Sequence, residues 1–150
     1  MDQNRKNIDK MKNKNFEDLI NEIKRKIQSE EKRIYSEKVI YEYRNPTNFG
    51  VIEKPDTAAL IKGPCGDTMK ITVIIENNII KKACFWTDGC GATIACGNMI
   101  TKMIKDKKVE EALNISKNDL IKALDGLPNE HLHCAKLAID TLNMALLKKY

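Results

Sequence analysis

The 150-residue chain has few aromatic side chains and no long apolar run, and each shortage excludes a class of function. Aromatic residues make up 5% of the chain, too few for the stacking surfaces on which single-stranded nucleic acids bind. A membrane span needs about 18 consecutive apolar residues, and no segment approaches that length. Residues 1–30 also lack the apolar core of a secretory signal. We therefore expect a cytoplasmic protein whose partners are neither membranes nor nucleic acids.

The formal charge of +5 is concentrated at the amino-terminal end of the chain. Residues 1–34 hold ten Lys and Arg against seven Asp and Glu, whereas residues 35–150 hold sixteen against fourteen. A nearly neutral body does not offer the concentrated basic face of a nucleic-acid-binding domain. The change in composition predicts two parts, a charged helical extension at residues 1–34 and one domain at residues 35–150.

The hydrophobic pattern predicts an α+β domain in which the strands precede most of the helices. Residues 68–76 alternate apolar and polar side chains, residues 79–87 return after an Asn–Asn turn, and residues 58–62 add a third strand. Apolar stripes at helical spacing predict helices at residues 92–105 and from about 131 to 148. Shorter helices are predicted after two serines that can cap them, Ser36 and Ser116. The expected fold is a small three-stranded antiparallel sheet packed against several helices.

An additional amino-terminal helix is predicted in front of this domain. Apolar residues recur at helical spacing from Phe16 to Ile27, which predicts a helix from Phe16 to about Arg33. Asn15 is placed to cap that helix, and residues 1–15 are polar enough to be frayed.

Five cysteines, in a chain too large to need disulfides, favour metal or sulfur chemistry. Three of them, Cys65, Cys90 and Cys134, stand where one predicted element gives way to the next. Cys90 and Cys134 fall at predicted helix amino-termini, where the helix dipole favours the thiolate. The glycines that flank Cys90 leave room for a cluster or a donor loop. With Asp67 and His133 nearby, the donor set suits both tetrahedral zinc and iron–sulfur clusters.

Four segments around these residues resemble the iron–sulfur cluster assembly scaffold family, the IscU type that also forms the amino-terminal part of NifU. The resemblance covers roughly residues 35–150 and implies a carrier rather than an enzyme. Such scaffolds accept sulfur and iron, build a transient [2Fe-2S] cluster and transfer it to apo-proteins. The four segments occur in family order: "YSEKVIYEYRNPTNFG" at 35–50, "GPCGDTMKI" at 63–71, "FWTDGCGATIA" at 85–95 and "LDGLPNEHLHCAKLA" at 124–138.

The resemblance also implies roles for individual residues. Cys65, Cys90 and Cys134 are the sulfur ligands, and either Asp67 or His133 completes the coordination. Cys134 is the expected acceptor of the persulfide. The implied partners are a cysteine desulfurase as the sulfur donor and apo iron–sulfur proteins as recipients, with the scaffold itself a monomer or a homodimer.

One segment departs from the family pattern and removes an expected partner. Many members carry Leu-Pro-Pro-Val-Lys where this chain has "LPNEH" at residues 127–131. We therefore do not expect recognition by a dedicated Hsp70-type chaperone.

Two other functions use the same residues. A structural zinc-binding protein would hold one zinc ion with these ligands and would depend on it to fold; zinc can also occupy a scaffold as isolated. A thiol enzyme would use His133 to activate Cys134 or another cysteine, but that interpretation leaves Cys65, Asp67 and Cys90 without a role.

The remaining candidates are expected to be structural. Cys96 shares an apolar helical stripe and is predicted to lie in the core, and His131 is predicted to be a solvated first-turn residue. Cys84 and Trp86 should face away from the core, where the helix with the apolar stripe 16–27 is expected to cover them, within one chain or across a dimer.

Overall fold

The computed structural model describes residues 2–148, except for the side chains of residues 11–14, and the chain divides after Ile34 into two compact units. The first unit is a single helix, α1 (Asp2–Ile34). As far as residue 148, the second unit contains three strands and five α-helices, here given in chain order: α2 (Glu37–Arg44), β1 (Thr57–Lys62), β2 (Thr68–Glu76), β3 (Ile79–Thr87), α3 (Gly91–Ile104), α4 (Val109–Leu113), α5 (Lys117–Ala123) and α6 (Leu132–Leu147). Along residues 2–148 no helix is both long and apolar enough to span a membrane.

Helix α1 is much longer than the sequence pattern predicts. It begins at Asp2 rather than at Phe16, and Asn15 lies inside it instead of capping it. No glycine or proline interrupts the chain before Pro46, so the helix that forms around the apolar stripe continues in the amino-terminal direction. Its unit holds no second element that could cover that stripe, and Phe16 is 63% exposed. The expected cover over Cys84 and Trp86 stays a prediction.

The sheet confirms the predicted three-stranded antiparallel meander. Its order is β1-β2-β3, with both pairs antiparallel. Asn77 and Asn78 have φ values of 53° and 64°, as expected for the turn that best matches the twist of a hairpin. The strand alternation is also as predicted, since Phe85 is fully buried whereas Trp86 is exposed and Cys84 half-buried.

Helices α3 and α6 cover one face of the sheet and form the core with it. Helix α3 packs on β3, and α6 packs on β1 and β2. Met69, Ile71 and Phe85 are fully buried from the sheet side, and Cys96 is fully buried from α3, as predicted. At about 25 cal/mol per Å² of apolar area, this burial is the main stabilising contribution to the domain.

The shorter helices show which local signals suffice to set a boundary. The Ser36 hydroxyl accepts a hydrogen bond from the Val39 N–H at the start of α2, and Ser116 forms a capping box with Asp119 at the start of α5. Both helices were predicted from these caps. Helix α4 was not predicted, because five residues are too few to show a helical period.

A connector of residues 45–50 runs along the free edge of β3 and is held by a buried asparagine. The Phe85 N–H donates to the Asn48 carbonyl at 3.0 Å, and the Asn48 N–H donates to the Asn98 side chain at 3.0 Å. Asn98 is fully buried in α3, and its amide donates to the carboxylate of Glu42 in α2. Lys102 also donates to Glu42, at 2.8 Å. This network fixes α3, whose first residue follows Cys90, against α2 and the sheet edge.

Candidate metal centre

Cys65 is presented by a tight turn in front of β2. The Gly63 N–H donates to the Asp67 carbonyl at 2.7 Å, and the Gly66 N–H donates to the Gly63 carbonyl at 3.0 Å. Gly66 has a φ of +93°, which side-chain-bearing residues rarely adopt. The turn leaves the Cys65 side chain exposed and starts the strand directly after Asp67.

Cys90 occupies the position before the first residue of α3, with extended backbone angles of −74° and −179°. Its loop is tied to the Cys65 loop because the Asp88 carboxylate accepts the Thr68 N–H at 2.7 Å. No side-chain cap is made by Cys90 itself, and its sulfur is exposed. The sulfur therefore stands where the unpaired N–H groups of a helix favour a negative charge.

The two glycines beside Cys90 make room for the protein's own side chains. A Cβ at Gly89 would lie 2.7 Å from the Thr93 Cβ and 2.8 Å from the Asp67 Oδ2. A Cβ at Gly91 would lie 3.3 Å from the ring of Tyr43. The missing side chains at Gly89 and Gly91 therefore let Thr93, Asp67 and Tyr43 pack closely beside Cys90. That an incoming cluster or loop also uses this space stays a prediction.

Cys134 is the third residue of α6 and is only 1% exposed. The hydroxyl of Thr93 donates to its sulfur at 3.3 Å and to the Asp67 carboxylate at 3.1 Å. Nε2 of His133 lies 3.6 Å from the same sulfur. Because a hydroxyl has a single proton, Thr93 can donate to only one of its two partners at a time. Thr93 is fully buried, and the sequence pattern did not indicate it.

The donor atoms form two groups. In each group all three atoms lie within 4.8 Å of one another: an inner group of Cys90, His131 and Cys134, and an outer group of Cys65, Asp67 and His133. The short distance from His133 to Cys134 joins the two groups. The structure thus brings together the five residues that the motifs indicated, from two loops and the first turn of α6, and adds His131.

His131 is the residue whose position the sequence reasoning missed. It was expected to be solvated, since residues two apart on a helix point in different directions. It stands instead before α6, with backbone angles of −117° and 7°, at the end of a short 3-10 turn that begins after Pro128. The spacing of an α-helix does not apply there, and a ring nitrogen of His131 lies within 4.8 Å of the sulfurs of Cys90 and Cys134.

The pKa values of the two thiols in the inner group, Cys90 and Cys134, are shifted in opposite directions. A hydrogen bond from Cys134 is the largest influence on Cys90, and it outweighs partial burial to lower the pKa of Cys90 from 9.0 to about 4. Backbone contacts with Thr93 and Ala92 act in the same direction. The same hydrogen bond, together with burial, raises the pKa of Cys134. The expectation of two thiolates is therefore wrong for Cys134, because its proton stabilises the charge on Cys90.

This difference predicts the reactivity of Cys90 in the metal-free protein. Because the thiolate is the reactive form, its alkylation by iodoacetamide should be fast and nearly independent of pH between pH 6 and pH 8. Peptide mass spectrometry at each pH measures the rate for each cysteine. Cys134→Ala removes the donor, so Cys90 should then react about tenfold faster for each unit of pH. The same steep dependence on pH in the unaltered protein would contradict a hydrogen bond from Cys134 that lowers the pKa of Cys90.

Comparison with known proteins decides the family. Residues 34–150 match the model of the NifU-like N terminal domain. The chain belongs to this family. The NifU-like domain identified in this way spans the whole second unit, and it confirms the resemblance that the four segments indicated.

Curated relatives of this NifU-like protein are named iron–sulfur cluster assembly scaffold proteins. The chain is 42% identical over 114 residues to the iron–sulfur cluster assembly scaffold protein IscU 1 of Archaeoglobus fulgidus, covering 75% of this chain and 74% of that one. It is 39% identical over 115 residues to the IscU scaffold protein of Aquifex aeolicus, covering 75% and 73%.

Solved structures share the fold of this NifU-like protein. A candidate iron–sulfur scaffold of the SUF system from Fervidobacterium islandicum superimposes with a TM-score of 0.65 at 23% identity, covering 76% of this chain and 97% of that one. A NifU-like amino-terminal domain from Brucella abortus gives a TM-score of 0.65 at 14% identity, covering 77% and 94%. These similarities support the α+β architecture.

Proposed function

We infer that the protein is a scaffold on which iron–sulfur clusters are assembled. The observation that carries this inference is the convergence of three cysteines, an aspartate and a histidine from separate segments, in a chain of the NifU-like family. Thiolates from Cys65, Cys90 and Cys134 are the sulfur ligands of the cluster, and Asp67 or His133 supplies the fourth donor. Residues 35–150 form the scaffold domain, and residues 1–34 are an appended charged helix.

The donor set suits a cluster that must be released. Storage or electron-transfer clusters are commonly held by four thiolates. Here one corner of the cluster is held by a carboxylate or an imidazole, which is a harder ligand for iron than a thiolate. Cys65 and Cys90 are exposed, so the cluster lies where a recipient apo-protein can approach it.

Sulfur enters as a persulfide from a cysteine desulfurase. The Cys134 sulfur attacks the outer sulfur of the donor persulfide, a new S–S bond forms at Cys134, and the donor cysteine leaves as a thiolate. His133, 3.6 Å from that sulfur, takes the Cys134 proton. Two electrons from an external reductant then convert the transferred sulfur to the sulfide of the cluster. Because Cys134 is buried, its side chain must become exposed for this step.

A structural zinc site is the second candidate, and the exposure of the donors argues against it. Structural zinc sites are closed and often supply the folding energy of domains without a core of their own. Here the core of Met69, Ile71 and Phe85 is completely buried, whereas Cys65 and Cys90 are open to solvent. Zinc fits the same donors as an occasional occupant.

Anaerobic reconstitution separates these functions. The protein is incubated with ferrous iron, a cysteine desulfurase, cysteine and a reductant, and then mixed with an apo-ferredoxin. A scaffold develops the visible absorption of a [2Fe-2S] centre and loses it as the ferredoxin gains its own. A zinc protein or a thiol enzyme develops no such absorption, and that result would reject the proposal.

Asp67→Ala tests whether the carboxylate of Asp67 makes the cluster easier to release. We expect the variant to hold its cluster longer and to transfer it several times more slowly to an apo-ferredoxin, because the hard carboxylate donor is gone. Stopped-flow absorption measures the transfer rate. Glu130→Ala, which removes an exposed carboxylate near the site, is the control and should transfer at the unaltered rate. Unchanged or faster transfer by the Asp67 variant would refute this role.

A further inference from the structure

His131 presents one ring nitrogen that its protein surroundings leave unused. Nε2 lies 3.1 Å from the hydroxyl of Tyr35. Nδ1 is buried and has no hydrogen-bond partner among the described residues. A buried polar atom without a partner costs about 1–3 kcal/mol, so such atoms are rare in folded proteins and each needs an explanation, of which a bound ion is one.

The contact with Tyr35 determines what the free nitrogen can do. When Nε2–H donates to the Tyr35 oxygen, the neutral ring carries a lone pair at Nδ1. Histidines that bind metals usually hold their second nitrogen in this way, against a nearby oxygen that fixes the ring. Tyr35 also packs on the His131 ring, with the ring centroids 5.5 Å apart. The contacts with Tyr35 therefore orient the ring, and the tautomer that donates from Nε2 is the one that can bind a metal ion through Nδ1.

Two sulfurs complete the arrangement. A ring nitrogen of His131 lies within 4.8 Å of the sulfurs of Cys90 and Cys134. These separations between donor atoms suit three ligands around one ion. Each donor atom would then lie about 2.0–2.3 Å from the ion. Two thiolates and one imidazole are a donor set that Zn²⁺ and Fe²⁺ both accept.

We propose that Cys90, His131 and Cys134 form a binding site for one divalent metal ion, in which His131 is a ligand. The fourth position of the ion stays open, and both sulfurs bind it as thiolates. The outer group is a separate set of donors, and none of them coordinates the first ion. This inference rests on the proposed function for its purpose, which is to hold the first ferrous ion before sulfide arrives. Its test does not require cluster assembly.

Cobalt binding to the metal-free full-length protein tests the site. Co²⁺ has visible bands that report tetrahedral coordination, and near-ultraviolet bands that report the number of thiolates. In the unaltered protein the first equivalent should be tetrahedral with two thiolates. His131→Gln should weaken that binding by more than about tenfold, since even the partners of metal ligands are worth about 10–100-fold. Glu130→Gln, at an exposed neighbour of His131 in the same turn, is the control and should leave the first equivalent unchanged.

Two further variants separate ligation from a structural role. His131→Cys should restore tight cobalt binding and add one thiolate to the near-ultraviolet band, which a residue that only packs could not do. Tyr35→Phe should weaken binding while leaving the band positions in place. Circular dichroism confirms that each variant is folded. An unchanged affinity and spectrum in His131→Gln, or an equal loss of affinity in Glu130→Gln, would overturn the proposal.

The outcomes for this site and for the scaffold are distinguishable. If His131→Gln binds cobalt normally while the unaltered protein still builds and transfers a [2Fe-2S] cluster, the inner site is wrong and the function stands. If cobalt binding depends on His131 while the unaltered protein builds no cluster, the inner site stands and the function is wrong.

Discussion

Replacing Gly97 by alanine is expected to destabilise the scaffold domain by about 2 kcal/mol, although alanine is normally the better helix former by about 1 kcal/mol. A Cβ at this position would lie within 2.8 Å of Cγ and Cε2 of the Phe85 ring. Phe85 lies on β3, where α3 packs, and is fully buried. A close-packed core offers its ring no space to withdraw. Urea unfolding followed by circular dichroism measures the change.

The companion substitution Phe85→Leu shows whether that ring is the cause. The smaller side chain lowers stability by itself, but in its presence Gly97→Ala should lose most of its effect. The coupling between the two positions is the quantity to extract from the four unfolding curves. An alanine variant that is as stable as the unaltered protein, or more stable, would contradict the close approach of α3 to the sheet.

The second large effect is expected at Asn98, where alanine should cost about 3 kcal/mol. The substitution removes the acceptor of the Asn48 N–H and the amide donor to the carboxylate of Glu42, which is only 4% exposed. Lys102 remains as the other partner of that carboxylate, so the charge is only partly stranded. The loss also frees the connector of residues 45–50 from α3.

Asn114→Ala is the matched control for this prediction. Asn114 is an exposed asparagine at the end of α4, and its substitution should stay within about 0.5 kcal/mol of the unaltered protein. The free energies of unfolding of both variants come from the same urea titration. If Asn98→Ala were no more destabilised than Asn114→Ala, the buried network would not be a support of α3.

Local pattern predicted much of the fold because its signals are complete within a few residues. The alternation along β2 and β3, the Asn77–Asn78 turn and the Ser116 capping box each specify a boundary without help from the rest of the chain. Helix α1 was underestimated, because its first half has no apolar stripe and its length follows from the absence of interrupting residues. Helix α4 is too short to carry a period.

The candidate site was predicted as a set of residues but not as a geometry. Motif resemblance supplied the three cysteines with Asp67 and His133, whereas spacing alone placed them only at the ends of elements. The contacts of Thr93 with Asp67 and of Tyr35 with His131 join residues 26 and 96 positions apart. No local pattern records such contacts, so both the Thr93 link and the position of His131 required the folded chain.

Cluster assembly in a series of single cysteine variants tests the central claim most directly. The visible absorption of the [2Fe-2S] centre after anaerobic reconstitution should be lost in Cys65→Ser, Cys90→Ser and Cys134→Ser. It should be retained in Cys84→Ser, whose half-buried sulfur lies on the outer face of the sheet. Full absorption in any of the first three variants, or its loss in Cys84→Ser, would contradict a cluster held by the three gathered sulfurs.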